Sequence, residues 1–186
     1  AIGGNNSQIY SVSETSDGSY LVAQKYSITK YSEFGEEKWS KSIGGSIDVI
    51  YSVVETREGD YIAGGFFYYS ISLENGETIT ANGSQDGVLI KYRSTELPEV
   101  IADKAQTIGG SNNDEIKSIV ETDDGGHIVG GYFTSSIDIG NGETLTSNGN
   151  QDGVLIKYSA EGVAEWAKAI GGSNDDQINS VAETRD

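Results

Sequence analysis

The chain repeats its own sequence, and this self-similarity constrains the fold more than any other feature. The tripeptide Ile-Gly-Gly recurs four times, starting at Ile2, Ile43, Ile108 and Ile170. Each copy is followed by a strand-like segment that ends in Glu-Thr, at residues 9–15, 50–56, 116–122 and 178–184. Repeats of this size are typical of propellers, solenoids and arrays, in which one unit cannot bury its apolar surface alone. The pattern predicts a single repeat domain over residues 1–186, divided into units 2–42, 43–107, 108–169 and a partial unit 170–186.

The third unit shows the strand pattern most clearly. It contains four short candidate strands, at residues 116–122, 127–133, 154–158 and 163–169. The segments between the first and second and between the third and fourth are acidic and contain glycine, which is typical of tight turns. Four strands joined in this way predict an antiparallel meander, and apolar middle strands beside a charged fourth strand are typical of a propeller blade. We therefore predict an all-β fold, a β-propeller segment of four-stranded antiparallel blades with about three full blades and the first strand of a fourth.

The second strands carry two further signals. Glycine pairs normally weaken a strand, so the recurrence of Gly64-Gly65 and Gly130-Gly131 predicts close approach by a neighbouring blade. Asn75-Gly76 and Asn141-Gly142, each flanked by alternating apolar residues, predict an extra hairpin between the second and third strands. Unit one lacks this insertion.

The composition excludes several classes of partner and site. The 186 residues include 12 Lys or Arg against 29 Asp or Glu, which gives a net charge of −17. Nucleic acids and anionic membrane surfaces are bound by clustered basic residues, so neither is an expected partner. No disulfide can form without cysteine, and no apolar run approaches the roughly 18 residues of a membrane-spanning helix. The single histidine, His127, argues against a zinc site, and no nucleophile motif surrounds it.

Two polar loops place oxygen-bearing side chains at alternate positions, as the first half of a calcium loop does. The candidate ligands are Asn148, Asn150 and Asp152 in unit three and Asn82, Ser84 and Asp86 in unit two. The twelfth position of an EF-hand should be Glu and here is Ser159 or Arg93, so no EF-hand is present. The favoured interpretation is a polar turn whose side chains bond to their own backbone. Calcium is the alternative, and it is the one cofactor that the sequence suggests.

Three further groups of residues have both a functional and a structural interpretation, and the structural one is favoured for each. Carboxylates that end the first strands would either line a channel or bond to a blade turn: Glu14, Glu55, Glu121 and Glu183. Polar stretches would either face a ligand or simply connect blades, at residues 5–7, 111–114 and 173–176. The aromatic runs 66–69 and 132–133 would either stack on sugar rings or fill the core. Trp39 and Trp166 are expected to pack under the outer edge.

Together these motifs resemble the surface β-propeller repeats of bacteria and archaea. In unit three the matching residues are Gly109-Gly110-Ser111-Asn112-Asn113-Asp114, Asp124-Gly125-Gly126, Leu145-Thr146-Ser147-Asn148-Gly149, Asp152, Ile156-Lys157-Tyr158, Gly162 and Trp166. The resemblance covers essentially the whole chain and implies an extracellular or cell-surface propeller used for binding. The short first unit and Lys104, which stands where the other units have Trp39 and Trp166, depart from the pattern. They predict non-uniform blades.

The sequence favours a non-catalytic extracellular binding module for carbohydrate or protein. An alternative is a structural arc that assembles with further copies into a closed ring, because three blades are fewer than the usual 4–8. A hydrolase or lyase on a propeller scaffold is less favoured, since few unique polar residues interrupt the repeat. The chain begins and ends within a repeat, so we expect it to be a piece of a longer propeller.

Overall fold

The computed structural model describes residues 8–43, 47–95 and 100–184, and the regular elements in this part of the chain are all β-strands. Several predicted features lie outside the described residues: Ile2-Gly3-Gly4, the connector 5–7, Gly44-Gly45 and the last two residues of the partial unit. No helix able to cross a membrane occurs in the described ranges.

Three four-stranded antiparallel sheets follow one another along the chain, and each is a meander. Blade 1 consists of β1 (Ile9–Glu14), β2 (Tyr20–Gln24), β3 (Ser27–Tyr31) and β4 (Glu37–Ser42). Blade 2 consists of β5 (Ile47–Glu55), β6 (Tyr61–Phe67), β9 (Asp86–Ser94) and β10 (Val100–Ile108), with an inserted hairpin of β7 (Ser70–Ser72) and β8 (Thr78–Thr80). Blade 3 consists of β11 (Glu115–Glu121), β12 (His127–Asp138), β13 (Thr144–Tyr158) and β14 (Ala164–Ile170). The predicted all-β propeller segment is confirmed.

The Glu-Thr repeat marks the same tight turn in every blade. In blade 1 the amide of Gly18 donates to the carbonyl of Thr15, and the amide of Thr15 donates to the carbonyl of Ser19. Blades 2 and 3 repeat both bonds. Gly18 has a φ of 75°, which only glycine adopts at little cost. The threonine therefore ends each first strand, and the glycine three residues later reverses the chain.

Successive blades pack face to face through their inner strands. Ile50 and Val53 of β5 are buried against blade 1, and Ile116 and Ile119 of β11 are buried against blade 2. A Cβ atom on Gly64 would lie 2.6 Å from Cδ1 of Ile119, so the close approach predicted from the glycine pairs is confirmed at this position.

The second glycine of each pair serves a different purpose. A Cβ atom on Gly65 would overlap the carbonyl oxygen of Val49, and one on Gly131 would overlap that of Glu115. Both contacts lie within a single blade, beside the point where the register between the first and second strands shifts. The pair therefore combines one contact between blades with one β-bulge inside a blade.

The fourth repeat docks on blade 3 as a first strand would. The amide of Val181 donates to Oγ of Ser118 at 3.1 Å, and in blade 3 the amide of Ile119 donates to Oγ of Ser52 at 3.2 Å. Ile178 contacts Gly130 as Ile116 contacts Gly64. Residues 171–184 form no strand ladder with the other described residues.

Blade 3 differs from blade 2 in how it carries its insertion. Residues 136–138 of β12 pair with residues 144–146 of β13, and the same two strands also pair between 127–134 and 151–158. The hairpin is therefore a continuation of β12 and β13, and residues 148–153, which were expected to form a loop, lie within β13. In blade 2 the corresponding hairpin is a separate sheet.

Candidate functional site

The blades have two unlike edges. On one edge the first and third strands begin, the insertions lie between the second and third strands, and connectors lead to the next blade; we name it the connector rim. On the other edge lie the Thr-Gly turns, and we name it the turn rim. Because loops on a rigid scaffold carry most binding residues, the larger and more varied loops favour the connector rim as the functional surface.

The predicted calcium loops lie on the connector rim, and their aspartates are completely buried. Asp86 accepts hydrogen bonds from the amides of Asn82 at 2.8 Å and Gly83 at 3.1 Å. Asp152 accepts the corresponding bonds from Asn148 at 3.0 Å and Gly149 at 3.3 Å. These are the side-chain-to-backbone bonds of the favoured polar-turn interpretation.

The other candidate ligands point to different partners. The side-chain amide of Asn148 donates to Asp152 at 3.1 Å, and that of Asn150 donates to Asp175 at 3.1 Å. Ser84 is exposed. No group of three or more acidic or histidine side chains converges among the described residues. Calcium binding at these loops stays a prediction.

The carboxylates at the ends of the first strands bond to the turn of the preceding blade. Oε2 of Glu55 accepts from the amide of Ser16 at 2.7 Å, Oε1 of Glu121 accepts from Arg57 at 2.6 Å, and Oε1 of Glu183 accepts from Asp123 at 2.9 Å. The repeated hydrogen bond between blades therefore accounts for these residues.

A second buried carboxylate lies next to Asp86. Asp114, from the connector 111–114, accepts hydrogen bonds from the amides of Gly110 at 2.7 Å and Thr134 at 2.9 Å. Burial raises the pKa of Asp114 to about 7, and the negative charge of Asp86 adds to the rise. Burial also raises the pKa of Asp86. The connector loop between blades 2 and 3 is thus anchored by a titratable group.

We expect the stability contributed by protonated Asp114 to fall, by a few degrees in melting temperature, as the pH rises from about 4 to about 7, and to change little above that. The folded-state pKa of Asp114 lies above its ordinary value of 3.8, so the stabilisation is complete below that value and is lost as pH rises through about 7. Thermal melts of the wild type and of Asp114→Asn across this range test it, because the melting temperature of the wild type should fall relative to that of the variant as the pH rises to about 7. Asp176→Asn, in the partly exposed counterpart of the fourth repeat, should leave the profile unchanged. A difference in melting temperature between the wild type and Asp114→Asn that does not change with pH contradicts the assignment.

Five aromatic side chains form a continuous row along the connector rim. We name the aromatic row as Tyr10, Tyr51, Phe66, Tyr68 and Tyr69, whose successive ring centroids are 5.0, 5.8, 5.7 and 6.4 Å apart. The row spans blades 1 and 2, because Tyr10 and Tyr51 occupy the same position in their first strands. Edge-to-face and tilted contacts of this kind stabilise the arrangement of the rings. Tyr68 and Tyr69, at one end of the row, stay partly or largely exposed to solvent.

The aromatic run 66–69 divides between the core and the surface. Phe67 and its counterpart Phe133 are fully buried, which confirms the favoured interpretation for them. Tyr69 is 79% exposed, so that interpretation is wrong for this residue. Its φ is 62°, in the left-handed region where a bulky side chain costs on the order of 1 kcal/mol. The blade 3 counterpart, Ser135, has the same conformation at 66° with a small side chain.

A buried polar cluster supports the aromatic row from blade 3. Lys117 stands where the first two units have Tyr10 and Tyr51, and its Nζ lies 4.1 Å from the ring centroid of Tyr51. The same ammonium group forms an ion pair with Glu115. Glu115 also accepts a hydrogen bond of 2.6 Å from Gln85. The sequence carried one signal for this cluster, a charge at a repeat position that is otherwise tyrosine.

The cluster lies beside two tyrosine side chains, Tyr51 and Tyr132. Burial raises the pKa of Tyr51 and of Tyr132, and the nearby carboxylate of Glu115 adds to both rises. Lys117 is 5.5 Å from the ring centroid of Tyr132, so one cation faces two aromatic rings. The arrangement provides a rigid aromatic surface with hydroxyl groups at its edge.

Comparison with known proteins gives no family for the chain. No protein-family model matches it. No curated protein sequence matches it.

Three solved structures are similar over most of the chain, at low sequence identity. A protein of unknown function from Bacteroides caccae matches 89% of this chain and 83% of its own, with 10% identity and a TM-score of 0.31. The Pan2 WD40 domain of Neurospora crassa matches 87% of this chain, with 10% identity and a TM-score of 0.35. An extracellular domain from B. thetaiotaomicron matches 91%, with 15% identity and a TM-score of 0.29. The chain spans 52% and 30% of the length of the latter two. All three TM-scores are low, so the propeller architecture is assigned from the sheet topology of the chain itself.

Proposed function

We propose that the chain is a non-catalytic binding module that contacts a carbohydrate or a protein surface through the aromatic row. The supporting observation is Tyr69, a large aromatic side chain that is held 79% exposed in a costly backbone conformation. Strained residues cluster where function requires them, and tyrosine is enriched in binding surfaces because it presents a large rigid contact with a polar tip.

The local structure fixes the position of this tyrosine. The amide of Ala81 donates to the carbonyl of Tyr69 at 2.8 Å, which closes the base of the β7–β8 hairpin. Tyr68 lies between Phe66 and Tyr69 in the row and is partly exposed. A ligand would therefore meet two adjacent phenol rings whose backbone is already ordered, which lowers the entropy cost of binding.

The cellular setting is part of the same proposal. The repeat motifs resemble surface propellers of bacteria and archaea, and membership of that family would place the chain outside the cell. The net charge of −17 suits a soluble binding surface that repels other polyanions.

The binding proposal is tested with a glycan array and with pull-down of proteins from the native surroundings, using the wild-type chain and the variants Tyr68→Ala and Tyr69→Ala. Residues central to an interface typically cost about 2 kcal/mol when truncated, so we expect each variant to lose affinity at least about tenfold. Tyr20→Ala, which removes an exposed tyrosine of blade 1 outside the row, should bind as the wild type does. Equal affinities for all four proteins would exclude the aromatic row as the binding surface.

A second candidate function is assembly with further copies. Ile9 is 45% exposed and Val12 is 59% exposed, whereas their counterparts Ile50 and Val53 are buried by the preceding blade. Exposed apolar faces of this kind drive association. Light scattering distinguishes the candidates, because assembly through this face requires an oligomer that Val12→Lys dissociates, and a monomeric wild type excludes it.

A further inference from the structure

One position on the fourth strands carries different residues in different blades, and it lies at the junction with the next blade. On the fourth strands, Trp39 pairs in register with Lys30 and Trp166 pairs with Lys157. On β10 the same position is Lys104, which pairs with Lys91. Two blades therefore pair a tryptophan with a lysine, and blade 2 pairs two lysines.

At the junction of blades 1 and 2 the tryptophan fills the space between the sheets. The ring centroids of Trp39 and Tyr61 are 5.3 Å apart, and Trp39 packs against the buried cluster shared by the two blades. Nζ of Lys30 lies 5.6 Å from the centroid of Tyr61. The junction is therefore closed by two rings in tilted contact, with their planes at 57°, and by a cation beside them.

At the junction of blades 2 and 3 both rings of this pair are replaced. Lys104 stands in place of Trp39, and His127 stands in place of Tyr61. A cavity of about 210 Å³ opens here on the turn rim. Its apolar lining comes from Ile62, Leu89 and Ala105. Since typical drug-sized sites measure roughly 300–1,000 Å³, this cavity suits a ligand of one or two rings.

His127 contributes a flat neutral wall to the cavity. Its ring stacks on Tyr158 with centroids 5.2 Å apart and planes at 14°. Burial lowers the pKa of His127 to about 4, and the charges of Lys157 and Lys91 add to this effect. The imidazole is uncharged at neutral pH, as a stacking partner for an aromatic ring should be.

Lys104 brings a positive charge to the same cavity, directly opposite Lys91 in the strand register. Like charges directly opposite each other on neighbouring strands are destabilising. Lys91 is paired with Asp60 at 3.1 Å, whereas Lys104 forms no ion pair with any described residue. Of the two acidic lining residues, Asp103 pairs with Arg93. Glu161 accepts a hydrogen bond from the hydroxyl of Ser159 at 2.8 Å, which lowers its pKa, so its carboxylate stays charged at the mouth of the cavity.

We propose that this cavity binds a small aromatic carboxylate. The ring takes the place that the indole of Trp39 fills at the neighbouring junction, against His127 and the apolar lining. The carboxylate lies by Lys104, the lining lysine that has no ion pair with a described residue. The site is on the turn rim, opposite the aromatic row, so it is independent of the proposed binding function.

The test uses indole-3-acetate and neutral indole as probes, titrated into the whole chain by calorimetry or by NMR. We expect saturable binding of indole-3-acetate with a dissociation constant below about 10 mM and weaker binding of indole. Lys104→Gln should weaken indole-3-acetate about tenfold and leave indole unchanged, since it removes a charged partner and keeps the cavity. Lys104→Trp, which restores the residue of the other blades, should abolish binding of both probes while the circular dichroism spectrum stays native.

Lys168→Gln is the matched control, because it removes the same charge from an exposed position outside the cavity. It should bind both probes as the wild type does. An equal loss in Lys104→Gln and Lys168→Gln would assign the effect to general electrostatics and overturn the proposal. Absence of saturable binding by the wild type, or retained binding by folded Lys104→Trp, would overturn it as well.

Discussion

Replacing Asp152 with alanine is expected to lower the free energy of unfolding by about 3 kcal/mol. The carboxylate is completely buried and accepts hydrogen bonds from the amides of Asn148 and Gly149. Its removal leaves these donors without a partner inside the sheet, and hydrogen bonds to charged groups are worth more than neutral ones. Urea unfolding monitored by tryptophan fluorescence measures the change.

Asp176→Ala is the matched control for this prediction. Asp176 accepts one backbone hydrogen bond, from Gly172 at 2.8 Å, and is partly exposed, so its loss should cost less than about 1 kcal/mol. Adding a chelator to the wild type separates the two interpretations of the polar loops. The backbone role predicts no change on chelation, whereas a loss comparable to that of Asp152→Ala would assign the effect to bound calcium.

Replacing Gly64 with valine is expected to cost about 3 kcal/mol, at the upper end of the range for overpacked interiors. A Cβ atom at this position would lie 2.6 Å from Cδ1 of Ile119 and 2.9 Å from Cγ2 of Ile116, both in the next blade. The same unfolding measurement applies. Gly172→Val is the control, because nothing lies within 4 Å of the position where its Cβ would stand, and we expect it to change stability by less than about 0.5 kcal/mol. An equal cost for the two variants would contradict the contact between blades.

The blade architecture could be predicted from the sequence because every signal for it is repeated. The Thr-Gly turns and the apolar second and third strands recur in all three blades, and the glycine pairs recur in two of them, so each unit supports the interpretation of the others. The strands of unit three agree with the predicted bounds to within a residue at most ends; the exceptions are β12 and β13, which continue into the hairpin. That continuation depends on pairing between residues 136–138 and 144–146, which composition does not specify.

The candidate binding surface was harder to predict because it depends on departures from the repeat. Tyr69 leaves the core because its left-handed backbone turns the side chain outward, and the dipeptide Tyr68-Tyr69 gives no sign of this φ. Lys117 meets Tyr51 only because the first strands of successive blades are neighbours in space. The same holds for the cavity on the turn rim, where Lys104 and His127 line one space although they belong to different units. Such contacts become visible only when the stacking of the blades is known.

The buried acids show how a strongly acidic chain stabilises its own loops. Asp86, Asp114 and Asp152 accept backbone amides at the connector rim, and Glu55 and Glu121 accept them across blades at the turn rim. These carboxylates thus accept hydrogen bonds from backbone amides that have no partner in a strand, as buried polar groups require.

The central claim, that successive sheets lie face to face, is tested most directly by a double-mutant cycle between Gly64 and Ile119, which lie on neighbouring blades. Urea unfolding is measured for the wild type, Gly64→Val, Ile119→Ala and the double variant. If the two residues are in contact, the space vacated by Ile119→Ala accommodates the new valine. The loss of unfolding free energy in the double variant should then be smaller than the sum of the two single losses by at least about 1 kcal/mol. Strictly additive costs would mean that these residues do not touch, and the stacked-blade arrangement would be wrong.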